Sequence, residues 1–308
     1  MSHTSAAEAA AAPRLRYAAT ADGLRLAVRE HGDPAAPTLL CVHGYPDDSS
    51  VWDGVAARLA DRYHVVAYDV RGAGASTAPR HRSGYALDRL ADDMARVARA
   101  ASPGGPVHLL AHDWGSIAAW HAVTDERHAP AFASYTSISG PCLDHAALWL
   151  RSRLRPSPRA LRAFADQAVR SGYIAFFHLP VLPELAWLTG AGGAVLGALD
   201  RIGRPPAGSP PPRRALRDHL NGLGLYRENF RPRLRAPAER RTAVPVQVLL
   251  PADEVFMTEG AQTAAARWTE DFRAVPVEGG HWMPRSRPGA VAERVDAFVR
   301  GLGAAGPR

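Results

Sequence analysis

Apolar runs rich in β-branched residues recur at 38–42, 64–68, 107–111, 132–137, 244–250 and 272–277, and each reads as a strand. Between or after them, at 51–60, 87–101, 115–124, 260–268 and 288–299, apolar residues return every three or four positions, the spacing of an amphipathic helix. Strand and helix in alternation predict an α/β fold, a mostly parallel sheet covered on both faces. The alternation breaks once. From 142 to 232 no strand pattern survives, and aromatic, proline and arginine residues alternate in short helical pieces, with a proline-rich loop at 204–213. The expected organisation is therefore a core of 14–141 and 233–304, a helical cap of 142–232 over the carboxyl ends of the strands, and an Ala-rich disordered tail at 1–13.

Composition narrows the function. With 308 residues and 46% hydrophobic content the chain can bury a sizeable core. Its net charge is +7, and all 37 basic residues are arginine. Without interleaved aromatics or a reader motif they read as solvated faces, so no nucleic-acid partner is expected. The apolar stretch 174–199 is interrupted by His178, Pro180, Pro183 and Glu184 and is not expected to span a membrane. Cys41 and Cys142 are too few for a disulfide framework, and the N-terminal segment does not have the build of a signal peptide; a cytoplasmic location is the expectation.

The chemistry concentrates in Ala111-His112-Asp113-Trp114-Gly115, where an apolar strand turns straight into a helix with a small residue two before and two after Asp113. A sharp turn of this kind lifts its central side chain above the sheet at a helix N-terminus. An aspartate there could be a simple N-cap. The surrounding elbow favours a nucleophile. Serine attacking a saturated carbon would leave an ether, which water cannot readily cleave, whereas aspartate leaves an ester open to hydrolysis. Asp113 therefore points to an sp³ electrophile such as an epoxide or alkyl halide.

His281, after the last strand and a Gly-Gly turn, is the expected base for the second step. Asp253, after the strand at 244–250, is the expected orienting acid, with Glu254 adjacent and Asp144 a topological alternative. The tight turn His43-Gly44-Tyr45-Pro46 can aim the Tyr45 amide at the elbow, where it and the Trp114 amide would form an oxyanion hole. The glycines of residues 69–76 do not complete a dinucleotide loop, so no cofactor or metal is called for.

Together His43-Gly44-Tyr45-Pro46, residues 69–76, His112-Asp113-Trp114-Gly115 and Gly280-His281-Trp282 resemble the α/β-hydrolase superfamily, in its epoxide hydrolase and haloalkane dehalogenase branch. The resemblance implies an α/β-hydrolase fold with an inserted helical cap. Two cap segments, around Tyr173 and around Tyr226, are similar to those that supply lid tyrosines in soluble epoxide hydrolases. It further implies that these phenols protonate the oxygen of an opening epoxide, which ends as a vicinal diol. Dehalogenases pair the Trp after the nucleophile with a second Asn or Trp donor, and Tyr45 stands where that Asn would be. Trp149 and Trp187 keep that alternative open, and a ligand-binding relative with vestigial catalysis is the third. The expected partner is a hydrophobic small-molecule epoxide, with a homodimer the other possible assembly.

Overall fold

The computed structural model describes residues 13–202 and 214–304. The expected tail, Pro13 apart, and the proline-rich loop at 204–213 lie outside the described residues.

Eight strands form one sheet: β1 (Arg14–Ala19), β2 (Arg25–His31), β3 (Thr38–Val42), β4 (His64–Tyr68), β5 (Val107–His112), β6 (Phe132–Ile138), β7 (Val246–Asp253) and β8 (Phe272–Gly280). Their spatial order is β1-β2-β4-β3-β5-β6-β7-β8. β1 and β2 pair antiparallel with each other, as do β2 and β4, and the remaining pairs are parallel. All six predicted strands are present. The hairpin of β1 and β2 was not predicted; β1 is an edge strand with no residue fully buried, so it carries little apolar signal.

In the first half of the core, α1 (Asp53–Leu59), α2 (Leu87–Ala101) and α3 (Trp114–Val123) follow the strands. Then come, among the described residues, six helices without an intervening strand: α4 (Leu143–Arg153), α5 (Pro158–Arg170), α6 (Gly172–Phe177), α7 (Leu182–Leu188), α8 (Ala191–Asp200) and α9 (Leu216–Arg235). α10 (Glu259–Gln262), α11 (Met283–Ser286) and α12 (Pro288–Ala304) complete the chain. The sheet is apolar on both faces, as a parallel sheet between helix layers must be. One core joins Leu40, Val66 and Leu109 to α2 and α3 and continues into Tyr226 of α9. The other packs Leu39, Val65 and Leu110 against α1 and α12. Cys41 and Cys142 are both buried free thiols.

Candidate active site

β5 delivers Asp113 to the start of α3 with φ +50° and ψ −121°, a conformation that costs a non-glycine residue of order 1–3 kcal/mol. The surroundings enforce it. The Asp113 amide donates to the Ile138 carbonyl at 2.9 Å. A Cβ on Gly115 would lie 2.4 Å from the carbonyl oxygens of Val42 and His43, so only glycine lets the elbow close. Asp113 makes no side-chain cap bond to α3, so its carboxylate is not consumed as an N-cap. Instead Oδ1 accepts from the Tyr45 amide at 2.8 Å and the Trp114 amide also bonds the carboxylate. The Tyr45 amide thus holds Oδ1, while Oδ2 faces His281, 3.7 Å from Nε2.

The orienting acid corrects the sequence reading. His281 Nδ1 lies 3.0 and 3.1 Å from the two carboxylate oxygens of Glu254, and the Glu254 side chain is only 4% exposed. Asp253 is exposed to solvent. The pattern placed the strand end at Leu250, but β7 runs on through Asp253, with a register shift against β8 between Pro251 and Asp253. The first side chain beyond the pairing, Glu254, is the one turned toward the histidine. Asp144, the other alternative, is buried elsewhere: it accepts from the Ala238 amide at 3.0 Å and from Arg240 Nε at 2.8 Å, fastening α4 to the chain beyond α9.

The electrostatics follow from burial and pairing. Burial pushes the Asp113 carboxyl up to about 6, against the opposing pull of His281 and the two amides. Burial also disfavours the His281 imidazolium, but Glu254 and Asp113 outweigh it and its pKa is raised. Glu254 is lowered, His281 overcoming the cost of burial. With the Glu254 carboxylate accepting from Nδ1–H, Nε2 is the nitrogen aimed at Asp113.

Tyr173 and Tyr226 come from α6 and α9 and meet edge-to-face, ring centroids 5.9 Å apart. Tyr226 also meets Trp114 at 4.9 Å. Burial drives both phenol pKa values far up, so both hydroxyls remain protonated. Both tyrosines, Asp113 and His281 line one cavity of about 370 Å³, whose remaining wall is almost wholly apolar, including Phe177, Trp187, Leu196 and Phe256. A smaller space of about 70 Å³ touches Asp113, Tyr173 and Tyr226 from another side and is walled by Leu150, Ile174 and Phe230. Trp187 lines the larger cavity; Trp149 does not, and packs against Gly260 instead.

Several supports escaped the sequence reading. Gln167 of α5 takes the amide and hydroxyl of Thr258 at 2.8 and 2.9 Å and donates to the Phe256 carbonyl at 3.2 Å, while Arg170 donates to the Glu254 carbonyl at 2.7 Å. The helical insert therefore holds the loop that carries Glu254. Asp47, two residues after Tyr45, binds Arg214 at 2.6 Å, and Arg214 binds Asp200 at 2.6 Å. Such pairings need the folded chain, since no spacing in the sequence announces them. His112 packs beneath the site rather than in it: Nε2 donates to the His281 carbonyl at 2.9 Å. His43 is structural, accepting from the Val70 amide on Nε2 and donating from Nδ1 to the Gly44 carbonyl, both at 2.9 Å.

Residues 37–172 match the model of the alpha/beta hydrolase fold family. The chain is 34% identical over 285 residues to "Probable oxidoreductase EphD" of Mycobacterium tuberculosis, covering 90% of this chain and 48% of that protein. It thus spans about half the length of that relative. It is 28% identical to "Epoxide hydrolase A" of the same species, covering 91% of this chain and 96% of that one. Among solved structures, a Bacillus megaterium epoxide hydrolase in complex with an inhibitor superimposes with a TM-score of 0.75 at 20% identity, covering 92% of this chain and 100% of that one. An epoxide hydrolase from Vigna radiata does so with a TM-score of 0.71 at 23% identity, covering 94% and 98%. The elbow, the eight-stranded sheet and these likenesses agree: the chain has the α/β-hydrolase fold and is similar over most of its length to proteins named epoxide hydrolase.

Proposed function

We propose that this protein is an epoxide hydrolase that converts an apolar oxirane and one water into a vicinal diol through an ester on Asp113. Asp113 Oδ2 attacks an oxirane carbon, the C–O bond breaks, and the oxygen takes a proton from Tyr173 or Tyr226. His281, its imidazole steered by Glu254, then removes a proton from water as that water attacks the ester carbonyl. The negative charge of the tetrahedral intermediate settles on Oδ1 against the Tyr45 and Trp114 amides. Collapse breaks the Cγ–Oδ2 bond, the His281 imidazolium protonates the departing alkoxide to release the diol, and the second proton of the water passes from the new Asp113 carboxyl to the phenolate, which restores carboxylate, imidazole and phenol.

The observation that carries this reading is what one otherwise apolar cavity brings together: the Asp113 carboxylate, with Oδ2 beside His281, and two protonated phenols in its lining. A departing halide needs donors but no acid, and the Tyr45 hydroxyl is already engaged at 3.0 Å by the His219 carbonyl. The relatives and structural neighbours that bear the name epoxide hydrolase support the same assignment.

Intact-mass and peptide analysis of a His281→Gln variant incubated with mixed aryl epoxides and bromoalkanes tests it. The expected product is an adduct on Asp113 with the full mass of an epoxide. An alkyl adduct accompanied by bromide release, or a carboxylate left unmodified by every electrophile, would overturn the proposal.

A further inference from the structure

The arginines are not evenly spread. Residues 143–235, the helical insert, carry fifteen arginines against six carboxylates, a net charge of +9, which leaves the rest of the chain at −2. The insert also carries the exposed apolar surface. Of fifteen large apolar side chains exposed among the described residues, thirteen belong to it. A soluble protein seldom presents so much apolar area on one element without something to cover it.

The apolar side chains cluster on α7 and its flanks: Leu179, Val181, Leu182, Leu185 and Leu188. α8 is an unusual helix for a folded protein, built of Ala, Gly, Val and Leu up to its terminal Asp200, with no residue fully buried. One side of it walls the large cavity and the other faces outward. Exposed Arg201 follows it directly, and exposed Arg217 opens α9, which contacts α7. No single described helix is long and apolar enough to cross a membrane; α7 and α8 reach that length and apolarity only together, and the pair is bent by 77°. The arrangement suits lying on a surface rather than passing through it.

We infer that this face docks on an anionic lipid bilayer, α7 and α8 entering the boundary between headgroups and acyl chains while the surrounding arginines pair with acidic headgroups. Charge selects the occupant: exposed Arg201 and Arg217 flank the apolar face, the insert that bears this face holds the positive excess of the chain, and an acidic bilayer offers both complements at once. Docking does not depend on the chemistry at Asp113. If that chemistry holds as well, the cavity wall on α8 would stand against the membrane in which apolar epoxides dissolve.

Vesicle co-sedimentation of the full chain tests the inference. With phosphatidylcholine vesicles containing about one third phosphatidylglycerol, the protein should pellet at low salt and its partition should fall about tenfold in roughly 0.5 M sodium chloride. The variant Leu182→Glu/Leu185→Glu/Leu188→Glu, whose sites are 53%, 47% and 57% exposed, should keep the parent circular dichroism and Tm yet partition at least about tenfold less. If the triple variant does not fold, Leu188→Glu alone should still weaken partition, with the parent's salt response read alongside. The inference is overturned if the parent stays in the supernatant at low salt, if it pellets equally with pure phosphatidylcholine, or if the folded variants partition like the parent. It is also overturned if light scattering finds a dimer that the substitutions split, because a second copy then covers the face.

Discussion

The hydroxyl of Tyr45 donates to the backbone carbonyl of His219 at 3.0 Å, so the residue whose amide holds the candidate nucleophile also fastens α9 to the core. The contact is close-packed: a Cβ on Gly222, one turn along α9, would fall 2.1 Å from the Tyr45 ring. Tyr45→Phe would leave the His219 carbonyl without this donor in a buried setting. We expect a loss of about 1 kcal/mol in denaturant unfolding with the ester chemistry largely intact, because the Tyr45 amide is untouched. A fall of about a hundredfold in kcat would show instead that the hydroxyl acts on substrate.

Glu254 and Asp253 give a paired test of the corrected acid. Glu254→Gln should slow ester hydrolysis by about 10² or more and let the Asp113 adduct accumulate, since the imidazolium that forms loses its carboxylate. Asp253→Asn, at an exposed position, should behave as the parent. Rapid-quench measurement of ester and diol separates the outcomes; equal damage from both changes would return the role to residue 253.

Removal of the phenols should act on the first step. Tyr173→Phe or Tyr226→Phe should each slow ring opening by about tenfold to a hundredfold, and the double variant by more than either, within the range for positioned acids. Hydrolysis of an ester already formed should be little changed. The readout is single-turnover adduct formation, and an effect confined to diol release would contradict the assignment.

The pH dependence follows from the Asp113 carboxyl, raised to about 6 by burial. A raised carboxylate pKa means that the nucleophile is protonated, and ring opening lost, as pH falls through about 6 rather than through the usual range near 4. Esterification then removes the Asp113 charge, one of the three carboxylate charges that raise the His281 pKa, so the imidazole becomes easier to deprotonate just when a base is required. Pre-steady-state rates should therefore show ring opening declining below about pH 6, with the hydrolysis step governed by a histidine of lower pKa than in the free enzyme.

How far the sequence could be read depended on whether a feature is local. The elbow is local: a strand, a turn and small neighbours lie within nine residues, and the pattern led directly to Asp113. His281 followed from a strand end and a Gly-Gly turn. The acid was misplaced by one residue because apolarity stops at Leu250 while backbone pairing continues to Asp253, and hydrogen bonding leaves no mark in hydropathy. Gln167 and Arg170 stayed invisible because they act across more than eighty residues of chain. The arginines were read only as solvated faces because their concentration becomes visible once the helical insert is treated as a unit.

The two spaces that meet at Asp113 differ about fivefold in size, about 370 against about 70 Å³. A terminal epoxide with one bulky arm can be seated in such a site in only one sense, its arm in the wide lobe and its small end toward the narrow one. Mirror-image molecules would then offer different ring faces to the carboxylate, so chirality would be sorted by nothing more than room, and a racemate should be consumed one hand first.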